Sequence, residues 1–195
     1  MPPLHRRFPP QVQADIVLHE YEALYALIQL RLGALEKRAM LAWAALGAFI
    51  TGLASLPPEY RLAIAVATPP ALVWLFRTTV NHARSLEDAF RRVEAVERHI
   101  NRLAGVTLLA FQSRHPSRGR AVGGRTGSES IFAVLTTAFI VLVFCGLFVW
   151  PELHQRDPRQ AASLIAYLWL VAAYLGYTVW RWGRYRYQPE SSTES

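Results

Sequence analysis

Residues 131–150 (IFAVLTTAFIVLVFCGLFVW) contain no Asp, Glu, Lys, Arg or His, and the run is closed by Pro151. At a rise of about 1.5 Å per residue such a segment spans the roughly 30 Å hydrocarbon core of a bilayer, and a chain of this size has little else to bury it against. Three further charge-free runs follow the same rule. Residues 39–56 (AMLAWAALGAFITGLASL) and 161–180 (AASLIAYLWLVAAYLGYTVW) are of spanning length, and residues 62–76 (LAIAVATPPALVWLF) are shorter and carry Pro69-Pro70. The short run is read as the returning arm of a hairpin kinked at its prolines, because a single span would strand the basic segment after it on the wrong side. The sequence therefore predicts an all-α integral membrane protein: four transmembrane helices in two hairpins, with a cytoplasmic antiparallel helical hairpin. Bulk composition hides this, since only 52% of the 195 residues are hydrophobic and the mean hydropathy is +0.15. The signal lies in how charge is segregated.

That segregation also orients the chain. Of its 21 Lys and Arg, five precede residue 39, ten lie in 77–130 and three follow Trp180, leaving only Arg61, Arg156 and Arg159 in the two short connections. Basic flanks are retained in the cytoplasm, so the sequence predicts a multi-pass protein of the inner (plasma) membrane with both termini cytoplasmic. The formal charge of +7 is read as a topology determinant with anionic headgroups as its nearest partner, and not as a nucleic-acid signature. Trp180, Trp182, Tyr185 and Tyr187 interleaved with Arg181, Arg184 and Arg186 suit the headgroup layer. Residues 1–10 are basic and Pro-rich with no apolar stretch behind them, which is not the pattern of a cleavable signal.

Four regions follow. Residues 1–112 form a long helical hairpin, 113–130 a flexible basic linker (SRHPSRGRAVGGRTGSES), 131–182 a second transmembrane hairpin and 183–195 a polar tail. Ser128 or Ser130 is the expected N-cap of the third helix. In the cytoplasmic part of the first hairpin, Val17, Tyr21, Leu24, Ile28, Leu32 and Leu35 recur at gaps of three and four residues. Leu86, Phe90, Val93, Val96, Ile100 and Leu103 repeat the pattern after the second span. The two stripes are read as zipping into an antiparallel coiled coil, or as forming a subunit interface. The acids Glu87, Asp88, Glu94 and Glu97 are read as solvated, with Asp88–Arg92 and Glu94–Arg98 as i,i+4 pairs. Leu108, Leu109 and Phe111 either extend the hairpin or lie on the membrane surface.

No catalytic set emerges. The six histidines are scattered, and His19, with Asp15 and Glu22 within a turn, lacks further ligands for a metal. Gly123-Gly124-Arg125-Thr126-Gly127-Ser128 lacks the lysine and the preceding strand of a phosphate loop. Cys145 is an apolar filler in mid-span. No cofactor and no enzyme activity is expected. Within the spans, Ala44, Ala48 and Gly52, and separately Ala172 and Gly176, form small-residue ridges that let another helix approach closely. The leading expectation is a non-enzymatic scaffold or partner-binding protein acting through its cytoplasmic helices. The alternative is a homo-oligomeric pore or membrane-perturbing effector, for which Thr51, Ser55, Thr68, Thr136, Thr137, Ser163, Tyr167, Tyr174 and Tyr177 could line a path.

The stretch EYEALYALIQLRLGALEKR, a span, Pro-Pro, a second span and the helix containing RRVEAVERHINRLA resembles, in layout, small bacterial multi-span membrane proteins with long cytoplasmic helical hairpins. It also resembles the two-span effector modules of bacterial conflict systems, which implies an action at membranes. The use of Arg in place of Lys, with abundant Ala, agrees with a GC-rich bacterial origin.

Overall fold

The computed structural model describes residues 9–110, 122–155 and 157–184. These form four helices, α1 (Pro10–Ser55), α2 (Pro58–Ala104), α3 (Gly124–Gln155) and α4 (Pro158–Gly183), and no strand occurs among them. All four are long and apolar enough to cross a membrane. Proline begins three of them, α1, α2 and α4, at the position where its fixed φ suits a helix and its missing N–H costs nothing. The Asp157 side chain caps α4 by accepting from the Arg159 amide at 3.1 Å.

With 46 and 47 residues, α1 and α2 are each about 70 Å long, more than twice a bilayer core. Each amphipathic segment thus continues its apolar run without a break. The two helices are antiparallel, turning at Leu56–Pro57: Gly52 faces Ile64, Arg38 donates to the Thr78 hydroxyl at 2.7 Å, Arg31 to Ser85, and Arg92 pairs with Glu20 at 3.0 Å. The buried side of α2 recurs every seven residues at Ala65, Leu72, Thr79, Leu86 and Val93, with Pro69, Phe76 and Ala83 buried between them. Its counterpart on α1 is Ile28, Leu35, Ala42 and Phe49, again at intervals of seven. A strict seven-residue repeat keeps one seam in register over this length, which a 3.6-residue pattern alone would not.

The third helix completes this core. Ile131, Val134, Ala138, Val141 and Cys145 are buried in the same cluster as α1 and α2, and α3 packs far more extensively on those helices than on α4. The antiparallel pair of α1 and α2 thus shares a three-helix core with α3, and α4 lies at its side. Helix α3 also starts earlier and ends later than the sequence suggests. It begins at Gly124, so Ser128 and Ser130 lie inside its first turns instead of capping it, and it runs through Pro151 to Gln155. The helical start overturns the linker reading for 124–130, while 113–121 and Phe111 lie outside the described residues. Helix α2 stops at Gly105, whose φ of 68° is the left-handed stop that glycine favours. The following chain folds back, with the Leu108 and Leu109 amides bonding the Asn101 side chain at 2.8 and 2.9 Å.

Helix α4 is held by a consequence of the proline pair. Helix α2 runs on through Pro69 and Pro70, with Pro69 buried. Proline at 70 cannot donate to the carbonyl four residues earlier, so the Val66 carbonyl has no helical partner. The Tyr167 hydroxyl of α4 donates to that oxygen. Tyr167→Phe should therefore cost about 1 kcal/mol, the penalty of a part-buried acceptor left without its bond, and loosen α4. On a Pro70→Ala background, where the substituted residue supplies its own amide, the same change should cost almost nothing. Thermal unfolding of the four chains in one detergent gives the cycle; equal costs on both backgrounds would refute the assignment.

Candidate interaction face

Most stripe residues singled out from the sequence fall inside the chain, while Leu103 at the end of the second stripe is exposed. Leu86 and Val93 are fully buried, Ile28 is 4% exposed, and Leu24, Phe90 and Ile100 are half-buried. The zipper face is thus occupied by the protein's own helices, and a second molecule would meet another surface.

The seam also holds polar groups that periodicity alone assigns to solvent. Glu97 is fully buried at a position of the seven-residue pattern, and Glu94 is 4% exposed with Arg98 at 3.9 Å. Arg92 pairs with Glu20 across the seam. The solvated reading therefore fails for Glu94 and Glu97. Tyr21 donates to the Tyr25 hydroxyl at 3.4 Å, and burial, Tyr21 and then the Glu97 charge push the Tyr25 phenol above its ordinary range. Nearer the apolar runs, Arg38 donates to Thr78 and, at 3.3 Å, to His82 Nε2. That contact requires the neutral imidazole. Burial first, then the charges of Arg38 and Arg31, hold His82 below the usual histidine value.

The glycine-rich segment 123–127 makes a tight helix-to-helix contact. Gly123 and Gly124 take φ of 71° and 68°, and a Cβ on Gly123 would stand 2.9 Å from the Ala83 carbonyl oxygen. The Gly123 amide donates to the Glu87 carboxylate at 3.2 Å, where burial raises that carboxyl's pKa and the amide bond opposes the shift. The segment is a docking point of α3 on α2.

Several hydroxyls in the apolar runs bond to helix backbone instead of facing a path. Ser55 donates to Thr51, Thr68 to Ile64 and Ser163 to Gln160. The Thr137 hydroxyl is buried with no hydrogen-bond partner among the described residues. Cys145 is buried, and among the described residues no group of three or more His, Cys, Asp or Glu could hold a metal. The His19 ring bonds the Asp15 carbonyl at 2.8 Å.

The small-residue ridges lie at the edges of this packing. Gly52 meets Ile64, whereas Ala44 and Ala48 are exposed, because the buried face of α1 there is Ala42, Leu46, Phe49 and Leu53. Ala172 and Gly176 line an apolar groove between α3 and α4 of about 690 Å³.

What the sequence reading missed is a second apolar face on α1. Val12, Ile16 and Leu30 are 39%, 52% and 72% exposed, and Ala23 and Leu27 lie between them. At about 100° per residue these five fall within roughly 60° of arc, and Ala34, Leu41, Ala44 and Ala48 extend the face to roughly 100°. His19 and Lys37 interrupt it. The spacing was legible, but the stronger buried stripe masks it. No family model, curated protein or solved structure matches the chain, so its function is read from its own residues.

Proposed function

We propose that the protein is a non-enzymatic scaffold of the bacterial inner membrane, with both termini and the long helical extensions in the cytoplasm, working by helix–helix recognition. The reading rests on one observation, the exposed apolar face that runs from Val12 to Ala48 of α1. A soluble partner could cover only its first half. A partner that follows the face into the apolar run must itself enter the membrane, and small residues at Ala44 and Ala48 admit a closely packed helix. A second copy of the chain meets both demands. Two copies related by a twofold along the membrane normal bring α1 against α1 in parallel, with the same patch on each side.

Oxidation of Leu30→Cys in a Cys145→Ser background, in native membranes, should give a species of twice the chain mass. Leu18→Cys, exposed on another side of α1, should not. Ala48→Trp should abolish the Leu30→Cys product. Equal yields from both cysteines, or none from either, would refute the shared face. Ion flux from liposomes carrying the wild-type chain would favour the pore or membrane-perturbing alternative.

A further inference from the structure

Where the apolar runs of α2 and α4 end, a cleft of about 360 Å³ opens between the two helices. Arg77 and Arg84 of α2 and Arg181 of α4 line it, together with Asn81, Tyr177 and Thr178, and no carboxylate lines it among the described residues. The helices are parallel here: Arg77 donates to the Tyr174 hydroxyl at 2.8 Å, and seven residues further along both chains Arg84 donates to the Arg181 carbonyl at 3.0 Å. The bond to Tyr174 engages one of the five N–H groups that a guanidinium carries, and Arg181 enters the second bond through its backbone alone.

The guanidinium groups of Arg77 and Arg181 in one cleft repel each other, and a bond to a phenol does nothing to offset their charge. An anion does, and guanidinium forks match phosphate oxygens bidentately. The level of the cleft limits the source. Arg77 and Arg181 are the first charged residues beyond the runs 62–76 and 161–180. Trp180 beside them is 52% exposed, with the Arg184 guanidinium 4.2 Å from its ring centre. An exposed tryptophan stacked by arginine at the end of an apolar run marks the headgroup layer, and basic clefts between spanning helices at that depth take anionic headgroups.

We infer that this cleft binds the phosphate of an anionic phospholipid headgroup, with Arg77 and Arg181 as its chief ligands and Tyr177 and Asn81 as neutral donors. The inference rests on the membrane-spanning reading above, in which both arginines face the cytoplasmic leaflet.

Native mass spectrometry of the full chain in mild detergent, with phosphatidylglycerol or phosphatidylcholine added, tests it. Phosphatidylglycerol should be retained in preference, and Arg77→Gln/Arg181→Gln should weaken its retention about tenfold or more. Arg125→Gln, which removes an exposed charge of α3 paired with Glu129 and not among the residues that line the cleft, should leave it unchanged. Asn81→Trp fills the cleft without removing charge and should give the same loss if the double variant fails to fold. Equal retention of the two lipids, or equal losses from the cleft and Arg125 variants, would overturn the site. Inorganic phosphate or glycerol phosphate binding as tightly as the lipid would overturn the headgroup as its source. Insertion into liposomes, measured separately by carbonate extraction, distinguishes failure of the site from failure of the membrane reading.

Discussion

Leu86→Asp should collapse the helical extension of the first two helices while leaving the apolar runs inserted. Leu86 is fully buried in the core that also contains Ile28 and Leu35 of α1 and Ile131 of α3. The change removes a whole apolar side chain and places a carboxylate where no partner was built for it. Each effect alone costs several kcal/mol, and about 4 kcal/mol or more is expected together. Limited proteolysis of detergent-solubilised protein should show cleavage within 77–104 that the wild type resists. Leu103→Asp, on the same helix but 59% exposed, is the control and should behave as wild type. Unchanged resistance of the Leu86 variant would mean that the extensions are not packed together as described.

Gly123→Ala should release the start of α3 from α2. Alanine at a φ of 71° is strained by about 1–2 kcal/mol, and its Cβ would stand 2.9 Å from the Ala83 carbonyl oxygen, which is backbone and cannot step aside cheaply. With the Gly123–Glu87 bond lost as well, about 3 kcal/mol is expected. Gly124→Ala separates the causes. Its φ of 68° brings the same strain, but the nearest atom to its Cβ is the Phe90 ring at 3.6 Å, an ordinary contact. Hydrogen exchange at residues 123–130 should rise sharply for the first variant and modestly for the second. Equal exchange in the two would show that backbone strain, and not close approach to Ala83, sets the need for glycine at 123.

The helices and their main seam were legible because both rest on local rules. Charge-free runs fix where apolar helices lie, and apolar residues at gaps of three and four from Ile28 to Leu35 and from Leu86 to Val93 mark facing sides of α1 and α2. What was not legible depends on tertiary contact. The segment 124–130 has the Gly, Ser and Arg content of a loop, yet it is helical where glycine at 123 and 127 permits close packing against Ala83. Glu97 carries a charge and so reads as solvated, although it occupies a place in the buried repeat. The cleft joins Arg77 and Arg84 of α2 to Arg181 of α4, 97 or more residues later, and no local pattern links the two helices. The second face of α1 lay in the sequence from the start, but a helix apolar on two sides shows little net amphipathicity, and the side buried within the chain dominates the reading.

In the proposed topology four helices cross the bilayer and both long extensions lie on its cytoplasmic side. Single cysteines at Pro57, Ser117 and Asp157, each in a Cys145→Ser background, test it directly through a membrane-impermeant maleimide applied to intact cells. Labelling of the cysteines at 57 and 157 before lysis, and of that at 117 only after lysis, is the predicted result; labelling at 117 in intact cells would contradict the account.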